Sequence, residues 1–515
     1  MVENYSRITA KALREAMDDG DELAIVDFRE EGAFAPAHLL HACNIPLSRL
    51  ELEIRDLVPR QATRIIATDN GGGLAARGVA RLRALGYTNV ALFANGVEAW
   101  RDAGYEVFSG FNVPSKAFGE YVEHAYGTPS VSAEELRNML AGPDPVVVLD
   151  SRPMDEFRNM NIPTATCCPG GELVYRVHDL APSPDTTVIV NCAGRTRSII
   201  GAQSLINAGI PNRVAALRNG TMGWHLAGLE LERGKERLAP DPSAAGLEVA
   251  RACAGVVAAR FEVPIVREIP PAPERTTYVF DVRHPYEFEA GHLKGSRLAP
   301  GGQLVQATDR YAAVRGARIF LVDDTGVRAV MTAHWLRQMN WDASVLEGAL
   351  TRGPLETGPA VPEPATSKTA TPVDVPTVGP EGIEGAVVVD FADSRRYAEG
   401  HIPGAWFAIR ARLATAHLPE ADRYVFTSPD GRLARLAAAD FGRPVAVLEG
   451  GTEAWVGPLE RGALHMADTP DDVWLKPYEQ DGTVEENMQA YLDWETGLVQ
   501  QLNRDDTTRF WSRLD

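Results

Sequence analysis

Thr187-Val188-Ile189-Val190-Asn191-Cys192-Ala193-Gly194-Arg195-Thr196-Arg197-Ser198 passes from an apolar run through a short polar loop into a helical pattern. That pattern runs to Ala208 and stops at Gly209. The run is apolar at consecutive positions, as expected for a strand buried on both faces of a parallel sheet. Glycine just past the last turn ends a helix, because it alone enters the left-handed region at little steric cost. Upstream, Val147-Val148-Leu149-Asp150 is a first apolar run, followed by Arg152 and Phe157; downstream, Val214-Ala215-Ala216-Leu217 precedes Asn219-Gly220 and Trp224. Strands alternating with helices predict an α/β layered domain with right-handed crossovers.

The succession occurs four times. Ala24-Ile25-Val26-Asp27 is followed by Arg29, Phe34 and His38-Leu39. Tyr278-Val279-Phe280-Asp281 is followed by Arg283, Phe288 and Gly291-His292-Leu293, and Val387-Val388-Val389-Asp390 by Tyr397 and Gly400-His401-Ile402. In the first three repeats the second loop opens 42 residues after the Asp, at Asp69, Cys192 and Asp323; in the fourth it opens 38 residues after, at Ser428. The repeats are too long for solenoid units, so each is read as a small domain.

This agrees with the length. A chain of 515 residues exceeds what one hydrophobic core usually serves, and at roughly 150 residues per domain it predicts three or four. The reading divides it into domain 1 (1–112), a linker (113–128), domain 2 (129–240), domain 3 (241–358), a Pro-rich linker (359–376), domain 4 (377–464) and an acidic helical tail (465–515). The first linker carries Phe118, Tyr121 and Tyr126 and is expected to pack on a surface. The tail holds twelve acidic and four basic residues. In it, Thr483-Val484-Glu485-Glu486 has capping-box form, and Met488, Tyr491, Leu492, Leu498, Val499 and Leu502 form a helical stripe expected to dock on the body.

Composition excludes several classes. A net charge of −19 opposes binding to phosphate backbones, so no nucleic-acid partner is expected. The N-terminus lacks a basic and then apolar leader, and no run of eighteen apolar residues occurs, so neither signal peptide nor membrane span is expected. Five cysteines make no disulfide framework and suit a reducing compartment; a cytoplasmic location is expected. The eleven histidines are dispersed without ligand spacing, so no metal and no other cofactor is expected. A homodimer is compatible with the sequence.

Only the second repeat puts a thiol at the head of the loop; the others begin Asp69-Asn70-Gly71, Asp323-Asp324-Thr325 and Ser428-Pro429-Asp430. A loop from a buried strand end into a helix start turns backbone N–H groups inward and adds the positive end of the helix dipole. With Arg195 and Arg197 beside it, Cys192 should favour its thiolate, and the cradle should hold a small oxyanion.

The Asp-x-Arg step with its aromatic, the Gly-His-Ile/Leu step, the Cys-x-Gly-x-x-Arg-Ser loop and the closing Asn-Gly…Trp together resemble rhodanese domains. The resemblance covers nearly the whole chain outside linkers and tail. It implies an α/β fold of four tandem rhodanese-like domains, each a short, mainly parallel sheet flanked by helices. It also implies sulfurtransferase chemistry: Cys192 takes the outer sulfur of a donor such as thiosulfate and passes it from a persulfide to cyanide or a thiol. Ala193, Gly194, Arg195, Thr196, Arg197 and Ser198 would bind the donor, while Asp150 and Arg152 would brace the loop. The repeat departs from the pattern at Asn161, where the others carry His38, His292 and His401.

Other readings rank lower. A related phosphatase or arsenate reductase places five residues between Cys and Arg, whereas Cys192 and Arg197 enclose four, and no general acid is evident nearby. A 3-mercaptopyruvate donor, or a sulfur carrier with little turnover, stays closer to the pattern. Cys167 and Cys168 fall where a strand is expected and read as buried, Cys43 and Cys253 as core or incidental, and Trp100, Trp224 and Trp455 as core.

Overall fold

The computed structural model describes residues 5–359, 361, 363–366 and 375–513. Most of the Pro-rich linker expected at 359–376 lies outside them.

Four parallel sheets follow one another along the chain, one from each repeat. In the second, the strand order is Ser130–Val131, Val214–Leu217, Thr187–Asn191, Val146–Asp150, Thr166–Cys167. Val146–Asp150 pairs in parallel register with Thr187–Asn191 over five residues, Asp150 opposite Asn191. The third sheet, centred on Thr277–Asp281 and Arg318–Val322, and the fourth, centred on Val387–Asp390 and Tyr424–Thr427, repeat this order. In the first, Ala24–Asp27 lies between Ala42–Asn44 and Ile65–Thr68, and a bridge from Arg7 to Leu92 stands in for the fifth strand. Short apolar strands leave no face for water, so each sheet is covered on both sides by the helices between its strands.

Five helices position the site. They are α1 (Val113–Tyr126), α2 (Thr196–Asn207), α3 (Gly301–Gln306), α4 (Val327–Gln338) and α5 (Val484–Asp505). The helices expected after the loops of repeats two and three, from Ser198 and from Arg328, begin two residues and one residue earlier, at Thr196 and Val327.

Residues 113–128, expected as a linker packed on a surface, are mostly helix α1, and half of that helix is buried. Its Phe118 meets Trp335 of α4 and Phe510 edge-on. At Gly119 an added Cβ would lie 2.8 Å from the Thr196 methyl group, so only glycine lets α1 approach the start of α2 this closely.

The four units interlock. Leu23 and Arg315 exchange backbone hydrogen bonds between the first and third units, and Tyr278 donates its hydroxyl to the Leu57 carbonyl. Buried Arg410 of the fourth unit forms a double ion pair with Glu51 of the first. Arg328 of the third reaches Glu172 of the second at 3.0 Å. The tail docks: Met488, Leu492, Leu498 and Leu502 are buried, and Trp511 donates from its backbone and its indole to the carbonyls of Gln338 and Arg337. The capping box expected at Thr483 is not formed, since its side chain caps nothing. Instead Asn487 ties the helix start to the Asp481 carbonyl. Among the described residues no helix is long and apolar enough to cross a membrane.

Candidate active site

Cys192 sits where the central strand Thr187–Asn191 ends and α2 has yet to begin. The position is braced from below. Asp150 binds Arg152 through both oxygens and accepts from Asn191 Nδ2 at 2.9 Å. Asn191 also donates to Thr221 Oγ1, and the Thr221 hydroxyl donates to the Cys192 carbonyl at 2.9 Å. Backbone N–H groups of Thr221 and Met222 bind the carbonyls of Cys192 and Ala193. The loop is thus held through its carbonyls, which turns its N–H groups the other way. Among the described residues, nothing accepts a hydrogen bond from the N–H groups of Ala193, Gly194, Arg195, Thr196, Arg197 or Ser198. The Ser198 hydroxyl donates to Cys192 Sγ at 2.9 Å.

The equivalent loops are filled from within. In the third unit Asp323 accepts from Gly326 N at 2.8 Å and Arg328 N at 3.0 Å. In the first, Asp69 accepts from Gly71 N and Ala75 N. In the fourth, Ser428 Oγ accepts from Ala434 N at 3.2 Å. The side chain at the head of each of these loops thus occupies its own amide cradle, whereas Cys192 leaves its cradle open.

The two arginines are less free than the sequence suggests. Arg195 makes a double ion pair with Glu120 of α1 at 2.7 and 2.8 Å, contacts Glu123, and donates to Asn219 at 3.2 Å. Arg197 pairs with both oxygens of Glu156 at 2.8 and 2.9 Å and reaches Gln303 of α3 at 3.4 Å. Burial pushes the Glu156 carboxyl up, but the Arg197 guanidinium outweighs it and holds the group near about 2. Burial raises Glu120, and its pairing with Arg195 only partly offsets this. Arg197 borders a cleft between the second and third units, lined by Gly170, Gly171, Gly301 and Gly302.

The loop is roofed by the tail. Met488 and Leu492 of α5 pack on Met222, with Ala193 and Tyr491 alongside, and Cys192 is only 2% exposed. Glu495 of α5 lies above Gly194; a Cβ on that glycine would stand 2.9 Å from its Oε2. Neither Glu495 nor Glu120 was singled out from the sequence. For Glu495 the signal was present, an acidic residue between Leu492 and Leu498 on a face otherwise apolar; Glu120 shares its face with Lys116, Glu123 and His124, and the sequence does not mark it.

Other expectations resolve simply. Asn161 does the work of the histidine it replaces: its Nδ2 donates to the Phe157 carbonyl four residues back, and His292 and His401 contact the carbonyls of Phe288 and Tyr397 at the same spacing. Cys43, Cys167 and Cys168 are buried. Burial pushes the Cys167 thiol up to about 12 and those of Cys43 and Cys168 well upward, which suppresses their thiolates. Trp100 and Trp224 are core residues, and Trp455 is half-buried.

Comparison with known proteins agrees with this geometry. The rhodanese-like domain model matches residues 9–103, 132–227 and 270–352. A crystal structure of thiosulfate sulfurtransferase from Pseudomonas aeruginosa is 48% identical, with 98% of this chain and 99% of that one covered at a TM-score of 0.92. A Bacillus halodurans protein is 22% identical over 22% of this chain and 81% of its own, with a TM-score of 0.18. No curated protein matches. By the family model, which covers more than half its length, and by near-complete superposition on a relative of 48% identity, the chain belongs to the rhodanese family.

Proposed function

We propose that this rhodanese-type enzyme moves sulfane sulfur from thiosulfate through a persulfide on Cys192 to cyanide or a thiol. The observation that carries the reading is the contrast between the loops: Asp69 and Asp323 fill their own amide cradles, while among the described residues none of the six N–H groups of Ala193 to Ser198 has an acceptor. A sulfonate in that cradle would be held by backbone dipoles and the α2 N-terminus. Cys192 would then attack the outer sulfur: the new S–S bond forms, the bond to the sulfonate sulfur breaks, and sulfite leaves with that electron pair. Ala193 to Ser198 are the donor site in this reading. Asp150 and Arg152 act from below through Asn191 and Thr221. Arg195 and Arg197, held by carboxylates, fix the loop and offset its anionic charge rather than reach for the donor.

The name of the Pseudomonas relative supports thiosulfate as donor. The unit boundaries drawn from the repeats, including a fourth rhodanese-like unit outside the matched stretches, are supported by its strand order, which is that of the second and third units. Free cysteines throughout suit a reducing cytoplasm, the location we propose.

Mass spectrometry of the intact protein after thiosulfate tests the reading. A gain of one sulfur, mapped to Cys192 and removed by cyanide, is expected. Turnover that survives in Cys192→Ala overturns it.

A further inference from the structure

The carboxylate above the thiol loop does more there than its packing needs. Glu495 is 1% exposed. Its Oε1 takes every polar contact the side chain has: the Tyr491 hydroxyl at 3.1 Å, the Thr196 hydroxyl at 3.3 Å and Lys116 Nζ at 3.3 Å. Among the described residues its Oε2 has no partner, although it is buried, and this is the oxygen that lies over Gly194, two residues from Cys192. A carboxylate kept only to anchor a helix would use both oxygens, because an unsatisfied buried acceptor is costly. Tyr491, on the same face of α5, senses both Glu495 and Cys192. Burial pushes its phenol well upward, and the charges of these two add to the effect.

Charged groups of both signs surround the loop. Lys116, Arg195 and Arg197 stand against Glu120, Glu123, Glu156 and Glu495. Cyanide arrives as an anion ready to attack the sulfur carried by Cys192, whereas a thiol arrives neutral. A thiol, however, must lose its proton to become a nucleophile, and among the described residues Oε2 is a free acceptor over Gly194, two residues along the loop from Cys192.

We propose that Glu495 is the base that takes the proton of a neutral thiol acceptor as that thiol attacks the Cys192 persulfide. The inference rests on the persulfide reading above and assigns the second half of the reaction to thiols. The proton passes from the acceptor to Glu495 Oε2, and a bond forms between the acceptor sulfur and the outer persulfide sulfur. The Sγ–S bond breaks, and its electron pair returns to Cys192 as thiolate. The acceptor leaves as its own persulfide, and the proton on Glu495 goes to that product or to water. Cyanide anion needs no proton removed, so it gains nothing from this base.

The test is single turnover of the full chain, loaded with thiosulfate, its loaded fraction measured by mass, then mixed with 2-mercaptoethanol or with cyanide. For Glu495→Gln, which keeps the size of the side chain, the ratio of thiol to cyanide rates should fall at least tenfold against the natural chain, and Glu495→Asp should recover part of it. An unchanged ratio overturns the proposal. So does a Gln variant that no longer loads sulfur, since that would place Glu495 in the donor half. If the natural chain itself never gains sulfur at Cys192, the persulfide reading is what fails.

Discussion

The Ser198 hydroxyl donates to Cys192 Sγ across 2.9 Å, from the third residue of α2 back to the residue just past the end of the strand. The bond joins the two sides of the loop and stabilises the sulfur as an anion. A hydrogen bond to a charged group contributes about 1.5–3 kcal/mol. Ser198→Ala is therefore expected to slow alkylation of Cys192 by iodoacetamide, and turnover with thiosulfate, by roughly tenfold or more. Equal alkylation rates at neutral pH would contradict this.

Asp323 fills the cradle of the third unit. Asp323→Ala leaves the N–H groups of Gly326 and Arg328 without their acceptor, at a cost of about 1–3 kcal/mol. Thermal unfolding should move down by several degrees. Sulfate should restore part of the loss in this variant more than in the natural chain, because an emptied cradle binds an oxyanion and binding to the native state stabilises it.

Glu30 carries an acid–base prediction far from the thiol. Burial raises its carboxyl from 4.5 to about 7, against the opposing Arg49 charge and Ser48 hydroxyl. In the unfolded chain the group titrates near 4.5, so between that value and about 7 the native state holds a proton the unfolded chain has lost. Stability accordingly falls as pH rises through this window, and the whole penalty is present above it. Glu30→Gln should be more stable at pH 8 by about 3 kcal/mol, an advantage that disappears below pH 4. Denaturant titrations at the two pH values check it.

Leu492 anchors α5 over the loop, packed with Met222 and Met488. Leu492→Ala opens a cavity there and weakens docking by about 2–5 kcal/mol. Local opening of the roof should then become frequent enough to raise the alkylation rate of Cys192 tenfold or more, while the four sheets unfold at nearly the same denaturant concentration. A slower alkylation would mean that α5 activates the thiol rather than shielding it.

Much of the fold was legible because it is written locally and four times. The apolar run ending in Asp, the offset to the loop and a closing turn that ends in Gly (Gly96, Gly220, Gly348, Gly450) recur in each repeat within a hundred residues, and the sheets follow from them. The loop was legible too, since Cys192 and Ser198 lie in one continuous stretch. What was hidden comes from elsewhere in the chain. Glu120 reaches Arg195 from 75 residues upstream, and Glu495 reaches Thr196 from 299 residues downstream. Local pattern carries no trace of such partners beyond an acidic residue on the wrong face of a helix. Residues 113–128 were read as a linker that packs on a surface through Phe118, Tyr121 and Tyr126, not as a helix. Pro at the second helical position in fact suits a helix start, and burial of Phe118 and Val122 did the rest.

The roof over the thiol also sets an order of events during synthesis. Thr196 leaves the ribosome 299 residues ahead of Glu495, which at roughly 5–20 residues per second is about 15–60 s. For that interval the second unit can fold with its Cys192 loop uncovered. The nascent chain therefore displays a bare thiol in an open amide cradle, and only a stretch translated some 299 residues later closes it. Any agent that modifies this cysteine would find its widest opportunity before α5 has emerged.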